Sequence, residues 1–272
     1  MALGSEGRFE QTLKTDQDNA LIFTVSPGKT ADQVRAQLLP VAKRINAALA
    51  LCGFPLCKGE VMASNPKWCL SLEEWKQTFM GWVINSTPEA LMHASIFFDF
   101  RALYGAQHLA DELRDWLAQL TRSNELFLHQ MAANAMQNRP PLGLFRDFVL
   151  GKKNTLDLKL NGITPFVDAA RIFSLATGGT HTSTIQRLLQ SAPALHMSSS
   201  EVEAWINAFL FIQLGRLRHH YEANAHKEDA EAHSLDNLMD PAQLNELDRR
   251  ILKEAFRQAR KVQLKLSLDY RL

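Results

Sequence analysis

Little in this sequence could serve as a covalent staple, a membrane anchor or a charged coat. Cysteine occurs three times, at Cys52, Cys57 and Cys69. An odd number without a repeating pattern excludes a disulfide framework. One C-x4-C pair lacks the second ligand pair of a zinc site, so free thiols in a reducing compartment are expected. The longest apolar stretch, about Trp205 to Leu214, falls far short of the roughly 20 residues of a membrane span. The polar N-terminus, MALGSEGRFEQTLKTDQDN, carries no apolar signal region. A soluble, cytoplasmic protein with no membrane contact is the expectation. Net charge is also lacking: 30 basic and 29 acidic side chains leave +1. Proteins that coat duplexes are much more basic, so nucleic acid is not an expected partner.

What is present suffices for a core. The chain has 272 residues, of which 46% are apolar, enough for one large domain or two ordinary ones. Asn19 to Val25 reads as a short strand ended by Ser26-Pro27-Gly28. Val34, Leu38, Val41, Ile45 and Leu49 recur at helical spacing and predict a helix from about Thr30 to Leu51. Lys58 to Ser64 is expected as a second strand, and Ser95 to Arg101 as a third. Ser71 and Glu74 form an S-x-x-E box that opens a helix through Trp75, Phe79 and Val83. Gln107 to Asn138 is strongly helical and stops at Pro140-Pro141. Leu144 to Gly162 is ambiguous, although its LDLKL portion alternates like a strand.

Beyond Pro165 the pattern is helical throughout. Pro165 to Ala176 and Thr182 to Gln190 are two helices. Ser200 and Glu203 open a third, running to about Tyr221. Asp240 as N-cap with Pro241 opens the last, which runs to about Tyr270. The polar stretch HHYEANAHKEDAEAHSLDN reads as a loop. The five tryptophans, Trp68, Trp75, Trp82, Trp116 and Trp205, are expected to pack.

Chemistry concentrates near the N-terminus. In an extended chain residues i and i+2 point to one side, so Asp16 and Asp18 present two carboxylates together. Such a pair repels itself unless a cation lies between, and Mg²⁺ prefers oxygen ligands and phosphate partners. Turn-forming aspartates at a strand entrance would look the same. Eleven residues before Asp16 lies Ser5, within Gly4-Ser5-Glu6-Gly7-Arg8. Small residues there let backbone N–H groups approach phosphate, and Arg8 can neutralise its charge. Asp99 is a lone acid among aromatics in IFFDFR. If that segment is extended, it shares a face with Arg101, either as an ion pair or as a site residue.

These pieces stand in the order GS, then D-x-D, then a single later Asp. That order resembles the polymerase-β-like nucleotidyltransferase superfamily. More closely, GSEGRFEQTLKTDQDNALI resembles the nucleotidyltransferase domain that follows cyclic-nucleotide-binding and CBS domains in bacterial signalling proteins. That family is similar to protein-PII uridylyltransferase and glutamine-synthetase adenylyltransferase. KGEVMASNPKWCLSLEEW, FFDFRALYG, PPLGLF, LDLKLNGITPFVDAARIFSLATG, RLRHH and LDRRILKEAFRQARKVQ extend the resemblance through most of the chain. The motif opens at the fourth residue, and the resemblance implies a helix and sensor domains ahead of it in full-length relatives.

The resemblance implies an α+β fold. A nucleotidyltransferase core with a mixed sheet would span 1–140, and a C-terminal helical bundle for substrate binding 141–272. It implies transfer of a nucleoside monophosphate from an NTP, ATP or UTP, to an acceptor, most readily a protein. Two Mg²⁺ would be held by Asp16, Asp18 and Asp99, the catalytic carboxylates, with Gly4, Ser5 and Arg8 on the phosphates. Arg101, Asp157 and Lys159 are the acceptor-side or supporting residues. Asp157 and Lys159 share a face if extended, or are a surface ion pair. With Arg171 they begin the helical half, where charged groups could line a cleft. A contrasting expectation is a non-catalytic nucleotide-sensing or interaction module. His219, His220, His226 and His233 cluster in sequence without metal-ligand spacing.

Overall fold

Three residues at the N-terminus lace the first part of the molecule together. In the computed structural model, Ala2 exchanges both backbone hydrogen bonds with Arg101, at 2.9 and 3.0 Å. On the other edge, the Leu3 N–H donates to the Asp18 carbonyl and the Ala20 N–H to Met1, each at 3.0 Å. The structure describes residues 1–13, 16–143, 148–151, 154–225 and 237–272.

Secondary structure runs α1 (Gly4–Gly7), β1 (Leu21–Phe23), α2 (Ala31–Leu51), β2 (Cys69–Ser71), α3 (Leu72–Asn85), α4 (Pro88–Phe97), α5 (Gln107–Arg122) and α6 (Glu125–Ala135). It continues with β3 (Leu156–Asp157), a π-helical turn (Leu158–Ile163), α7 (Thr164–Thr177), α8 (Thr184–Ser191), α9 (Ser199–Ala225), β4 (Leu238–Met239) and α10 (Glu246–Tyr270). Helix dominates, with two small two-stranded sheets among the described residues: β1 parallel to β2, and β3 antiparallel to β4. The arrangement is α+β-like. The chain divides into two compact units. The first holds Met1–Gln11 and Thr15–Phe127, the second Thr12–Lys14 and Leu128–Leu272.

In the first unit the helices begin where local chemistry directs. Thr30 caps α2 and Ser71 caps α3, each in a reciprocal box with the residue three later, Gln33 and Glu74. Each box satisfies two N–H groups that the first helical turn leaves without partners. The Trp75 indole, fully buried, donates to the Leu21 carbonyl at 2.9 Å and fixes α3 to β1. Around it Trp68, Phe79, Trp82, His93 and Phe97 stack, with Trp68 and Phe97 centroids 4.3 Å apart. Helix α2 buries Ala42 and Asn46, while Val41 and Ile45 on its apolar stripe stay exposed.

Two expected strands need correction, and the ambiguous LDLKL segment is extended only in part. Ser95 to Arg101 is not a strand: Thr87 and Pro88 start α4, which runs through Phe97. The aromatic run that suggests a strand is instead buried on a helix end, where tertiary packing overrides β propensity. Lys58 to Ser64 forms turns. LDLKL is extended only at Leu156–Asp157. There the Asp157 carboxylate caps the turn beyond, accepting from the Leu160 N–H at 2.7 Å, so Asp157 and Lys159 do not share a strand face. The long helix expected from Gln107 divides at Ser123-Asn124, where the Asn124 side chain accepts from the Phe127 N–H.

The second unit is built from α7, α8, α9 and α10 around Phe166, Phe173, Trp205, Ile212 and Phe256, all at most 1% exposed. Gly162 admits the close approach of the π-turn: a Cβ there would meet Ile212 at 3.0 Å and Phe256 at 3.1 Å. Helix α9 extends past Tyr221 to Ala225, and its cap is Ser198, which accepts from the Glu201 N–H, rather than Ser200. Asp240 caps a single 3-10 turn, and α10 opens at Asn245 instead. Of the polar stretch expected as a loop, residues 226–236 lie outside the described residues.

Candidate active site

The first four residues of the glycine motif make one short helix, α1. Gly4 has φ +57°, a left-handed conformation that a side chain resists. A Cβ at Gly4 would stand 3.5 Å from an Asp18 carboxylate oxygen. At Gly7 a Cβ would lie 1.8 Å from the Asp99 carbonyl oxygen, so no side chain fits. The glycine helix is thus set between the backbone of Asp99 and the side chain of Asp18.

Asp16 and Asp18 flank Gln17, which turns the opposite way and is 3% exposed. The Gln17 carboxamide donates to the carbonyls of Asn46 and Phe54, each at 2.8 Å, and accepts from Asn46 at 2.7 Å. Asn46 reaches Asn19 as well, and its own oxygen accepts from the Ser64 N–H. This buried network holds the Asp16–Asp18 segment against residues 54–64. It brings Cys57 beside the two carboxylates: one ligand atom from each of Asp16, Asp18 and Cys57 lies within 4.8 Å of the others. Asp16 is exposed, Asp18 and Cys57 half-buried. Burial pushes the Cys57 thiol above its ordinary value. Backbone bonds at Val61 and Gly59 oppose that rise, while the neighbouring Asp18 carboxylate adds to it.

Asp99 is fully buried and accepts from Arg8 Nη1 at 2.6 Å. Arg8 also donates to Glu10 at 2.7 Å. The sequence-expected phosphate cation is therefore already neutralised on two sides. Arg101 donates to the Glu6 carbonyl at 3.0 Å, binds the Glu6 carboxylate, and lies 3.9 Å over the Phe9 ring. Phe9 itself has φ 61°. Gly4, Ser5, Arg8, Asp16, Asp18, Asp99 and Arg101 all belong to the first unit, and the backbone lacing of residues 1–3 joins the three segments that carry them.

Asp157 and Lys159 belong to the second unit. Asp157 borders an open depression of about 640 Å³, lined also by Arg139, Asn161 and Arg260, while Lys159 is exposed beyond it. Arg171, expected at a cleft, is instead buried, 2% exposed and paired with Asp168 at 2.7 Å. His220 is buried with Nδ1 3.1 Å from the Thr12 hydroxyl. His226 and His233 lie outside the described residues. The three cysteines are free, as expected.

Residues 125–270, more than half of the chain, match the family described as "Putative nucleotidyltransferase substrate binding domain". The chain belongs to this nucleotidyltransferase family. Residues 1–89 match a companion family, "Putative nucleotidyltransferase DUF294". The second match contains the glycine helix, Asp16, Asp18 and Cys57. Asp99 and Arg101 fall between the two matched stretches, and Asp157 and Lys159 fall in the first. No curated protein and no solved structure matches. Among the described residues of this family member, no helix is long and apolar enough to cross a membrane.

Sequence reasoning gave Cys57 no role and passed over Asn46. Asn46 carries a signal in hindsight: it is a polar residue one turn from Ala42 on the buried side of α2. Cys57 carries none, because its nearness to Asp18 arises from the fold alone.

Proposed function

We propose that this chain transfers a nucleoside monophosphate from ATP or UTP to an acceptor hydroxyl, using Mg²⁺ held by Asp16 and Asp18. The observation that carries the reading is the pairing of those two carboxylates beside a glycine helix, within a stretch matching a nucleotidyltransferase family. The donor set suits the ion. Two carboxylate oxygens are hard ligands of the kind Mg²⁺ takes together with substrate phosphates, whereas the soft sulfur of Cys57 suits it poorly. When bound, Mg²⁺ would supply charge neutralisation at the triphosphate and polarise the α-phosphorus.

The protein's own groups do the positioning. The first N–H groups of α1 have no intrahelical partner and offer donors to phosphate oxygens, with the Ser5 hydroxyl beside them. Gly4, having no side chain, keeps the approach to Asp18 open. Asp99 serves through Arg8: the buried pair fixes the end of α1 against Asp99's own backbone. Arg101 supports α1 from its Glu6 side. We assign acceptor contact to the second unit, at the depression bordered by Asp157, Arg139 and Arg260, with the exposed Lys159 two residues along the chain from Asp157. A protein acceptor, and cyclic-nucleotide-binding and CBS domains as regulatory partners, complete the proposal.

The test uses ATP and UTP labelled at the α- or γ-phosphate, incubated with the chain and a cell lysate. Nucleotidyl transfer moves the α-label to an acceptor and releases the γ-label with pyrophosphate. Intact-mass measurement of the labelled acceptor then identifies AMP or UMP. Transfer of the γ-label, or Mg-NTP binding without any transfer, would overturn the proposal. The second outcome would favour a sensing module.

A further inference from the structure

A second cavity, wholly within the second unit, has the features of a ligand site. It encloses about 200 Å³, below the roughly 300–1,000 Å³ of pockets for drug-sized ligands. A nucleoside triphosphate is too large for it. Its floor is apolar: Leu158, Ile212, Met239 and Leu252 line it and are each at most 6% exposed. Its rim is charged. Arg218 and Glu222 stand about one turn apart on α9, roughly 6 Å along the axis, and both are exposed. Neither forms an ion pair among the described residues, although i,i+4 spacing would allow one. Asp248 lines the α10 side and is occupied with the Asn245 carboxamide at 2.9 Å.

The wall contains a glycine that packing does not require. Gly215 lies mid-way along the 27 residues of α9, where glycine costs about 1 kcal/mol relative to alanine. Its backbone is helical, and an added Cβ would meet only Leu158 Cδ1, at 3.9 Å. That is ordinary contact, so alanine would fit and should stabilise. A larger side chain at this position would project into the cavity that Gly215 lines.

We propose that this cavity binds a small zwitterion with an apolar tail, of which an α-amino acid with an aliphatic or thioether side chain is the simplest. The carboxylate pairs with Arg218, the ammonium with Glu222, and the tail lies on the Leu158–Ile212–Leu252 floor. A cation and an anion one helical turn apart match the two charges of such a molecule and disfavour ligands bearing only one. The inference does not depend on nucleotidyl transfer.

The test is thermal melting of the whole chain with leucine or methionine, compared with isoamylamine, isovalerate and AMP. Ligand binding to the native state raises the melting temperature by mass action. Leucine or methionine should raise it in a dose-dependent way, with isoamylamine and isovalerate at least about tenfold weaker. Gly215→Ala should melt higher and still bind. Gly215→Leu should abolish the response. Arg218→Gln and Glu222→Gln, at exposed positions that leave the fold intact, should weaken it by at least about tenfold. No shift with either amino acid overturns the proposal. So do equal shifts in Arg218→Gln, Glu222→Gln and wild type, equal binding of the one-charge analogues, or AMP binding that the rim substitutions remove.

Discussion

Gly7 tolerates no side chain, because the Asp99 carbonyl oxygen occupies the place of its Cβ at 1.8 Å. Gly7→Ala must push α1 away from Asp99, and overpacking of this kind costs about 1–3 kcal/mol. A lower urea midpoint at unchanged slope would report it. Asn46 should matter for a different reason. Asn46→Ala leaves the Gln17 carboxamide and the Ser64 N–H short of partners, and unsatisfied buried polar groups cost about 1–3 kcal/mol each. It also loosens the segment between Asp16 and Asp18 without touching either carboxylate. Weaker Mg-NTP binding should accompany the stability loss, and calorimetric titration checks it. Unchanged nucleotide affinity in Asn46→Ala would mean that the network does not position the pair. The alternation that brings Asp16 and Asp18 together was legible in the sequence, since period two is a local property of extended chain. The Arg8–Asp99 pair was not, because 91 residues separate its members and no local rule joins them.

Among the elements, α3 was the most legible. Its S-x-x-E box is local chemistry, and the structure contains it with Glu74 accepting from the Ser71 N–H at 2.8 Å. The SIFFDFR segment reads as a strand because aromatic content suits one, while the stronger signal, Thr87-Pro88 starting a helix, lies seven residues upstream of Ser95 and carries the helix through Phe97. LDLKL is ambiguous in sequence and is decided by tertiary context, its second half being drawn into a π-turn against α9 and α10. Ser71→Ala should cost about 1 kcal/mol, as removal of an N-cap typically does, visible as a lower melting temperature. The same box predicts a pH response. Partial burial would raise the Glu74 carboxyl, but hydrogen bonds from Arg35 and Ser71 outweigh it and hold the carboxyl below its ordinary value. Its stabilisation is therefore present above the usual carboxylate range and is lost as pH falls through and below it. Glu74→Gln should remove that part of the acid sensitivity. Parallel acid profiles for wild type and Glu74→Gln would contradict the assignment.

At the scale of the molecule, the near balance of 30 basic and 29 acidic side chains does not favour a polyanionic partner. The two units carry different parts of the proposed chemistry: carboxylates and glycine helix in the first, acceptor contact in the second. The family matches fall along the same division of labour, with residues 125–270 described as substrate binding. The most direct measurement is calorimetric titration of Mg-ATP and Mg-UTP into the whole chain, for wild type, Asp16→Asn and Asp18→Asn, with EDTA controls. Wild type should bind one of the two nucleotides only with Mg²⁺. Each substitution should weaken that binding at least about tenfold, the loss of one charged contact. Metal-free melting should hold or rise, because repulsion between the carboxylates is relieved. Binding that is indifferent to Mg²⁺, or equal in wild type and both variants, would contradict the assignment of Asp16 and Asp18 as the residues that hold the metal–nucleotide complex.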